Sequence, residues 1–136
     1  IMHAMDNCDL TACRILNLTD IQETKSNNLY TILSRRNTKK MAHSIFDLRR
    51  QAELDELYPR DTRTVLAWGV HDALTELAQM ALDRIGKEKI YGLQKDGTET
   101  GYYHPLPPSY YKQQQWVHQI SEQLKNQKQF IKTRQT

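Results

Sequence analysis

The stretch between Asp61 and Ile85 constrains the fold of this sequence more than any other. Its apolar residues recur at intervals of three and four, which on an α-helix gathers them on one broad face. They are Val65, Leu66, Val70, Ala73, Leu74, Leu77, Ala78, Ala81, Leu82 and Ile85. Asp61 or Thr62 can cap the first turn, and Gly86 stands where a helix end is expected. The pattern predicts one continuous scaffold helix that tolerates Gly69 at a cost of about 1 kcal/mol.

Length and composition indicate one globular domain. The chain has 136 residues, of which 38% are hydrophobic and 26% charged, enough to bury a core without disulfides. Its two cysteines, Cys8 and Cys13, cannot form a disulfide framework. They are expected to be small buried hydrophobes in a reducing, cytoplasmic or otherwise intracellular compartment. No apolar run approaches the roughly 20 residues of a membrane span, so a membrane partner is not expected.

Further helices are predicted on both sides of this scaffold. Thr19 to Gln22 matches a capping box and predicts a helix from Asp20 to about Ser34. Helical spacing resumes at Met41 and should end near Leu57, because the residue before Pro59 is pushed out of helical geometry. Ser109 opens a C-terminal helix that is expected to reach about Ile131. The first eighteen residues are poorly defined, with a short helix at 9–18 as the one candidate.

A β-hairpin is predicted after Gly86. Asp96-Gly97 lies between two β-leaning runs, and this dipeptide favours a type I′ turn. The expected fold class is therefore mainly α: a helical bundle with one small β-hairpin and a long C-terminal helix. The single domain 1–136 would divide into an N-terminal segment, a helical core, the hairpin and the last helix, at 1–18, 19–86, 87–104 and 109–131.

Aromatic residues are numerous for so polar a chain. Tyrosine and tryptophan dominate interface hot spots, so some of them are candidates for contacting a protein partner. The candidate partner-binding set is Tyr91, Tyr102, Tyr103, Tyr110 and Trp116. Within this region, Pro107-Pro108-Ser109-Tyr110 matches the PPxY pattern that WW domains bind as an extended proline helix. The competing and favoured interpretation is a proline stop that launches the last helix, with Tyr110 packed at its start.

Two basic stretches raise nucleic-acid binding as the alternative. The net charge of +3 is too small to indicate it, but four of the six residues 35–40 are positively charged. The candidate phosphate-binding residues are Arg35, Arg36, Lys39 and Lys40, joined by Arg49 and Arg50 and by Lys125, Lys128 and Lys132 of the basic tail. The competing and favoured interpretation is a solvated interhelical loop, which is what most charge runs are. A sharper version is a winged helix, with Ala67–Val70 as the turn and the hairpin as the wing.

Neither a catalytic site nor a metal site is predicted. Cys8 and Cys13 with His3 lack a fourth zinc ligand. His71-Asp72 resembles a metal-dependent phosphohydrolase pair only as a dipeptide, and phosphate loops and nucleophile elbows are absent. We therefore expect a non-enzymatic regulatory or accessory protein without a cofactor. It would act by binding a protein partner, and a homodimer through the C-terminal helix is one form of this expectation.

Overall fold

Helices make up 51% of the structure, a computed structural model, so the prediction of a mainly α chain is confirmed. The structure describes residues 1–59, 62–85, 89–105 and 109–135, with side chains of the last helix through 126. The helices are α1 (Met2–Asn7), α2 (Ser26–Ser34), α3 (Arg36–Lys40), α4 (Gln51–Leu57), α5 (Thr75–Arg84) and α6 (Tyr110–Gln135). The strands are β1 (Thr64–Leu66) and β2 (Ile90–Gly92), and 3₁₀ turns span Leu48–Arg50 and Asp72–Leu74.

The predicted scaffold helix from Asp61 to Ile85 is wrong as one continuous element. Residues 64–66 form β1, and only the second half of the stretch is helical, in α5. Asp61 itself lies outside the described residues. Gly69 separates the two halves with a φ of 109°, a conformation that an α-helix does not contain. The apolar spacing was ambiguous because three apolar or β-branched residues fit a buried strand as well as a helix.

The two strands pair in parallel, which corrects the predicted hairpin. Thr64, Val65 and Leu66 stand opposite Ile90, Tyr91 and Gly92. Parallel neighbours need a crossover connection, and α5 supplies it between β1 and β2. The winged-helix version therefore loses its basis, since a strand precedes Gly69 and no antiparallel wing is among the described strands.

A tight turn does form at Asp96-Gly97, but without a two-stranded hairpin. The backbone N–H of Lys95 donates to the Gly101 carbonyl at 2.9 Å, and one isolated antiparallel bridge joins Gln94 to Tyr102. Gly97 has a φ of 80°, whereas the φ of Asp96 is not positive. A type I′ turn needs a positive φ at both central residues, so this turn is of another type. Tyr102 also bridges Gly69, so the returning chain is shared between two partners.

Two of the other predicted helices are shorter than expected. The helix predicted from Asp20 begins at Ser26, because the Thr19 hydroxyl accepts from the Ile21 N–H and bonds His43 Nδ1 at 2.7 Å. The predicted capping box thus ties two loops together. The helix predicted from Met41 begins only after a loop and the first 3₁₀ turn, although it ends at Leu57 as predicted.

The ends of the chain lie against each other. The N-terminal segment forms α1 at residues 2–7, and the helix considered for 9–18 is absent from that described range. The long C-terminal helix is confirmed as α6, and α1 packs against it. Cys8 is buried as predicted, but Cys13 is exposed.

The buried residues form two clusters rather than the core of one bundle. The first lies among α2, α4, β1 and α5, and it includes Leu33, Phe46, Leu54, Leu66, Leu77 and Ala81. The second joins α1, β2 and α6, and it consists of Ala4, Cys8, Tyr91, Trp116, Ile120 and Leu124. Because β1 contributes to the first cluster and β2 to the second, the strand pair connects the two halves of the core.

We predict that Ile120→Ala lowers the free energy of unfolding by about 2–5 kcal/mol, since a large buried side chain leaves a cavity. Ile120 is 1% exposed in the second cluster. The matched control is its exposed neighbour Gln119, whose replacement by alanine should change stability by less than about 0.5 kcal/mol. Urea unfolding measures both. Equal effects of the two substitutions would contradict the placement of α6.

Candidate functional site

The structure divides the predicted partner-binding aromatics into buried and exposed groups. Tyr91 and Trp116 are 7% and 3% exposed, and both belong to the second cluster. Tyr102 is half-buried, whereas Tyr103 and Tyr110 are 46% and 70% exposed. The predicted set therefore contains two exposed tyrosines, Tyr103 and Tyr110.

Tyr91 and Trp116 hold the fold together and do not form a surface. Burial raises the pKa of the Tyr91 phenol, and its hydroxyl has no hydrogen-bond partner among the described residues. The Trp116 indole N–H donates to the Tyr103 carbonyl at 3.0 Å. This bond fixes the chain at Tyr103 against α6, so a buried aromatic positions an exposed one.

Tyr102 packs within the loop that leads to Tyr103. Its ring meets Trp68 edge to face, with centroids 5.6 Å apart and an interplanar angle of 81°. The Trp68 indole N–H in turn donates to the Thr100 carbonyl at 2.7 Å. Gly92 lies so close that a Cβ there would be 2.7 Å from Tyr102 Cδ1. This aromatic pair therefore serves internal packing, with the Tyr102 ring close to the Gly92 backbone, rather than contact with solvent.

Three exposed tyrosines form the first candidate site, which we call the tyrosine edge: Tyr103, Tyr110 and Tyr111. Tyr111 is 68% exposed and was missed in the predicted set, although its position beside Tyr110 at a helix start was a usable signal. Trp116, which bonds the Tyr103 carbonyl, is six residues along α6 from Tyr110, a rise of about 9 Å. Tyr110 and Tyr111 therefore lie in the first turn of α6, and Tyr103 is bonded to the same helix farther along, at Trp116.

The predicted basic cluster is helical and exposed. Arg36, Lys39 and Lys40 belong to α3 and Arg35 precedes it, where a loop was expected. All four side chains are exposed. The Lys39 ammonium lies 3.7 Å from a Glu76 carboxylate oxygen, an exposed pair of small energetic weight. In the basic tail Lys125 is exposed, while the side chains of Lys128 and Lys132 lie outside the described ones.

Arg49 and Arg50 do not extend this cluster, because each is bound within the chain. Arg49 makes a two-bond contact with the Asp47 carboxylate, at 3.0 and 2.8 Å, and donates to the Lys40 carbonyl. Arg50 pairs with Asp20 and Glu53. The two guanidiniums fasten the loop between α3 and the first 3₁₀ turn and so serve a structural role.

A cleft of about 220 Å³ lies between α2, α3 and α5. Its polar lining includes Lys39, His43, Asp47, Asp72 and Glu76, with Tyr30 on one side. The mixture of both charges favours no single ligand. Within the described ranges, no three His, Cys, Asp or Glu side chains are grouped to hold a metal ion.

His71 contributes to structure beside this cleft. Its ring stacks on Tyr30 with centroids 3.8 Å apart, and its Nδ1 accepts from the Ala73 N–H at 3.1 Å. The histidine therefore caps the second 3₁₀ turn. Its neighbour Asp72 borders the cleft, but the arrangement gathers no nucleophile and base.

Comparison with known proteins gives no match to a family model, to a curated protein or to a solved structure. Across the described helices, none has the length and apolar character to cross a membrane. The site must therefore be interpreted from its own chemistry.

We predict that Asp47 contributes pH-dependent stability. The Arg49 side chain and its backbone N–H lower the pKa of Asp47 from 3.8 to about 2. Because folding favours the carboxylate, this stabilisation is present above about pH 3.8 and is lost as the pH falls through about 2. The difference in unfolding free energy between the wild type and Asp47→Asn should narrow between pH 5 and pH 2. Chemical unfolding at each pH measures it.

The control is the same substitution in an Arg49→Met background, where the guanidinium that lowers the pKa of Asp47 is gone. There the pH dependence of the Asp47→Asn effect should be weaker. An unchanged dependence in that background would show that Arg49 is not its cause.

Proposed function

We propose that this chain is a non-enzymatic regulatory or accessory protein that binds a protein partner through the tyrosine edge. The supporting observation is the exposure of Tyr103, Tyr110 and Tyr111 beside a core that buries Tyr91 and Trp116. A tyrosine ring offers a large apolar contact area together with a hydroxyl that can donate or accept a hydrogen bond. Such residues are enriched where interface binding energy concentrates.

The support beneath the tyrosine edge favours binding without a large ordering cost. Two of the tyrosines begin α6, whose buried face includes Trp116 and Ile120. The third is fixed through its carbonyl by the Trp116 indole. A surface that is already ordered loses less conformational entropy on association, so more of its contact energy is expressed as affinity.

Self-association is the less favoured form of this proposal. A homodimer was expected through the C-terminal helix, but its apolar residues Ile120 and Leu124 are 1% and 4% exposed and pack against α1 and β2. They would have to leave the core to meet a second copy. A homodimer would instead use the tyrosine edge, and a partner of different sequence is the first choice.

We predict that replacing Tyr103, Tyr110 and Tyr111 together by serine removes most partner contacts. Proximity labelling in the native host, with wild type and variant expressed equally, measures the partners enriched by each. The matched control replaces the exposed α6 residues Gln114, Gln115 and His118 by alanine and should retain the wild-type partners. A partner set unchanged by the tyrosine substitutions would overturn the proposal.

Nucleic-acid binding is the second candidate, and the exposure of four cations at α3 favours it. Arg35, Arg36, Lys39 and Lys40 project from one short helix and the residue before it. Such a group can neutralise phosphates and release counterions without reading sequence. Lys125 is an exposed cation of the second basic stretch.

If this second function holds, removing Arg35, Arg36 and Lys40 should weaken binding to random-sequence duplex DNA or single-stranded RNA. For duplex DNA, the slope of log affinity against log salt should fall by up to about 3, roughly one for each lost phosphate contact. Alanine at Lys25, Lys95 and Lys112 removes the same charge from other exposed positions and is the matched control. Equal losses from both triple variants would show a nonspecific charge effect.

A further inference from the structure

We infer that Pro107-Pro108-Ser109-Tyr110 is a docking motif for a WW domain, and that Tyr110 is its anchoring residue. This inference rests on the proposed function, because it names the class of partner that the tyrosine edge receives. Two prolines followed by any residue and a tyrosine form the pattern that an aromatic-lined groove reads in its extended conformation. Pro107 and Pro108 lie outside the described residues, so the structural support comes from Ser109 and Tyr110.

Ser109 caps the start of α6. Its carbonyl accepts from the Gln113 N–H at 3.1 Å, and its hydroxyl lies 3.4 Å from the Lys112 N–H that donates to it. These are the bonds of a helix N-cap, a position whose backbone is typically extended. Tyr110 is therefore the first residue of α6, and Ser109 adds no helical turn that binding would have to unwind.

The exposure of Tyr110 favours a docking motif over a proline stop that only precedes the last helix. A proline stop explains the prolines, but it predicts that Tyr110 packs at the start of the helix. Instead its side chain is 70% exposed, although Trp116, six residues later on α6, is 3% exposed. The packed position expected for Tyr110 is therefore wrong, and the ring is presented to a partner.

The chemistry of the motif favours a WW domain over other partners. Proline rings fix φ and supply no N–H, so their segment gains affinity through ring contacts with aromatic side chains. Tyrosine at the fourth position adds a flat ring and a hydroxyl for a separate pocket. Because α6 already holds Tyr110 at its first turn, one of the two contacts is ordered before binding.

The test measures binding of the full chain to a panel of purified WW domains by isothermal titration calorimetry. A purified SH3 domain, which reads proline helices without this tyrosine, serves as the specificity control. Tyr110→Ala and Pro107→Ala should each weaken binding at least about tenfold, the loss expected of an interface anchor. Leu48→Ala is the matched control, because Leu48 is an apolar residue of similar exposure, 67%, that lies outside both the motif and the tyrosine edge. It should change affinity less than about twofold.

Circular dichroism of each variant separates lost binding from lost folding. Failure of the wild-type chain to bind any domain of the panel would overturn the inference, as would equal losses for Tyr110→Ala and Leu48→Ala. Repeating the proximity labelling with Tyr110→Ala and Pro107→Ala, and separately with Tyr103→Ala and Tyr111→Ala, distinguishes the two proposals. If partners are lost on substitution of Tyr103 and Tyr111 but not of Tyr110 and Pro107, the WW inference is overturned and the tyrosine-edge proposal stands. Partners unaffected by all of these substitutions would overturn both.

Discussion

The contact between Gln123 and Gly92 is the interaction on which the two halves of this molecule depend. The Gln123 side-chain amide accepts from the Gly92 N–H and donates to the Gly92 carbonyl, each at 3.0 Å. Gly92 itself pairs with Leu66 across the parallel strands. One helix side chain therefore bonds the free edge of β2, as a third strand would, and so satisfies the backbone N–H and carbonyl of a partly buried residue. Only glycine fits there, since an added Cβ would lie 2.9 Å from the Leu66 carbonyl oxygen.

Local signals predicted the ends of elements better than the elements themselves. Pro59 correctly placed the end of α4 at Leu57, and Ser109 correctly placed the start of α6, because both effects act within a few residues. The strands could not be predicted in the same way. Their pairing joins residues 26 positions apart, Thr64 to Ile90 among them, and its stabilisation comes from contacts that a periodicity analysis does not see. Gly69 was treated as a tolerated defect in a helix, whereas its positive φ lies in a non-helical connection between β1 and the second 3₁₀ turn.

Prediction of the candidate site failed in a similar way. Aromatic composition singled out a region but could not separate Tyr91 from Tyr110, because exposure is decided by which distant element packs against each ring. The basic cluster was recognised from charge alone. Its extension to Arg49 and Arg50 was wrong, since the carboxylates that bind them come from Asp47, Glu53 and the distant Asp20. Short-range charge pairs are readable in a sequence, whereas the partner of Arg50 thirty residues away is not.

The division of the core also separates the two candidate surfaces. The tyrosine edge is joined to the second cluster by Trp116. The basic helix α3 contacts α2, whose Leu33 belongs to the first cluster. The connection between the clusters is the parallel pair β1 and β2, fastened by Gln123. A partner bound at α6 would therefore contact elements whose side chains make few contacts with the basic helix α3. Because residues that share no partners affect binding and stability independently, the two surfaces can be altered separately without losing the fold. This independence makes the choice between a protein partner and a nucleic acid experimentally decidable.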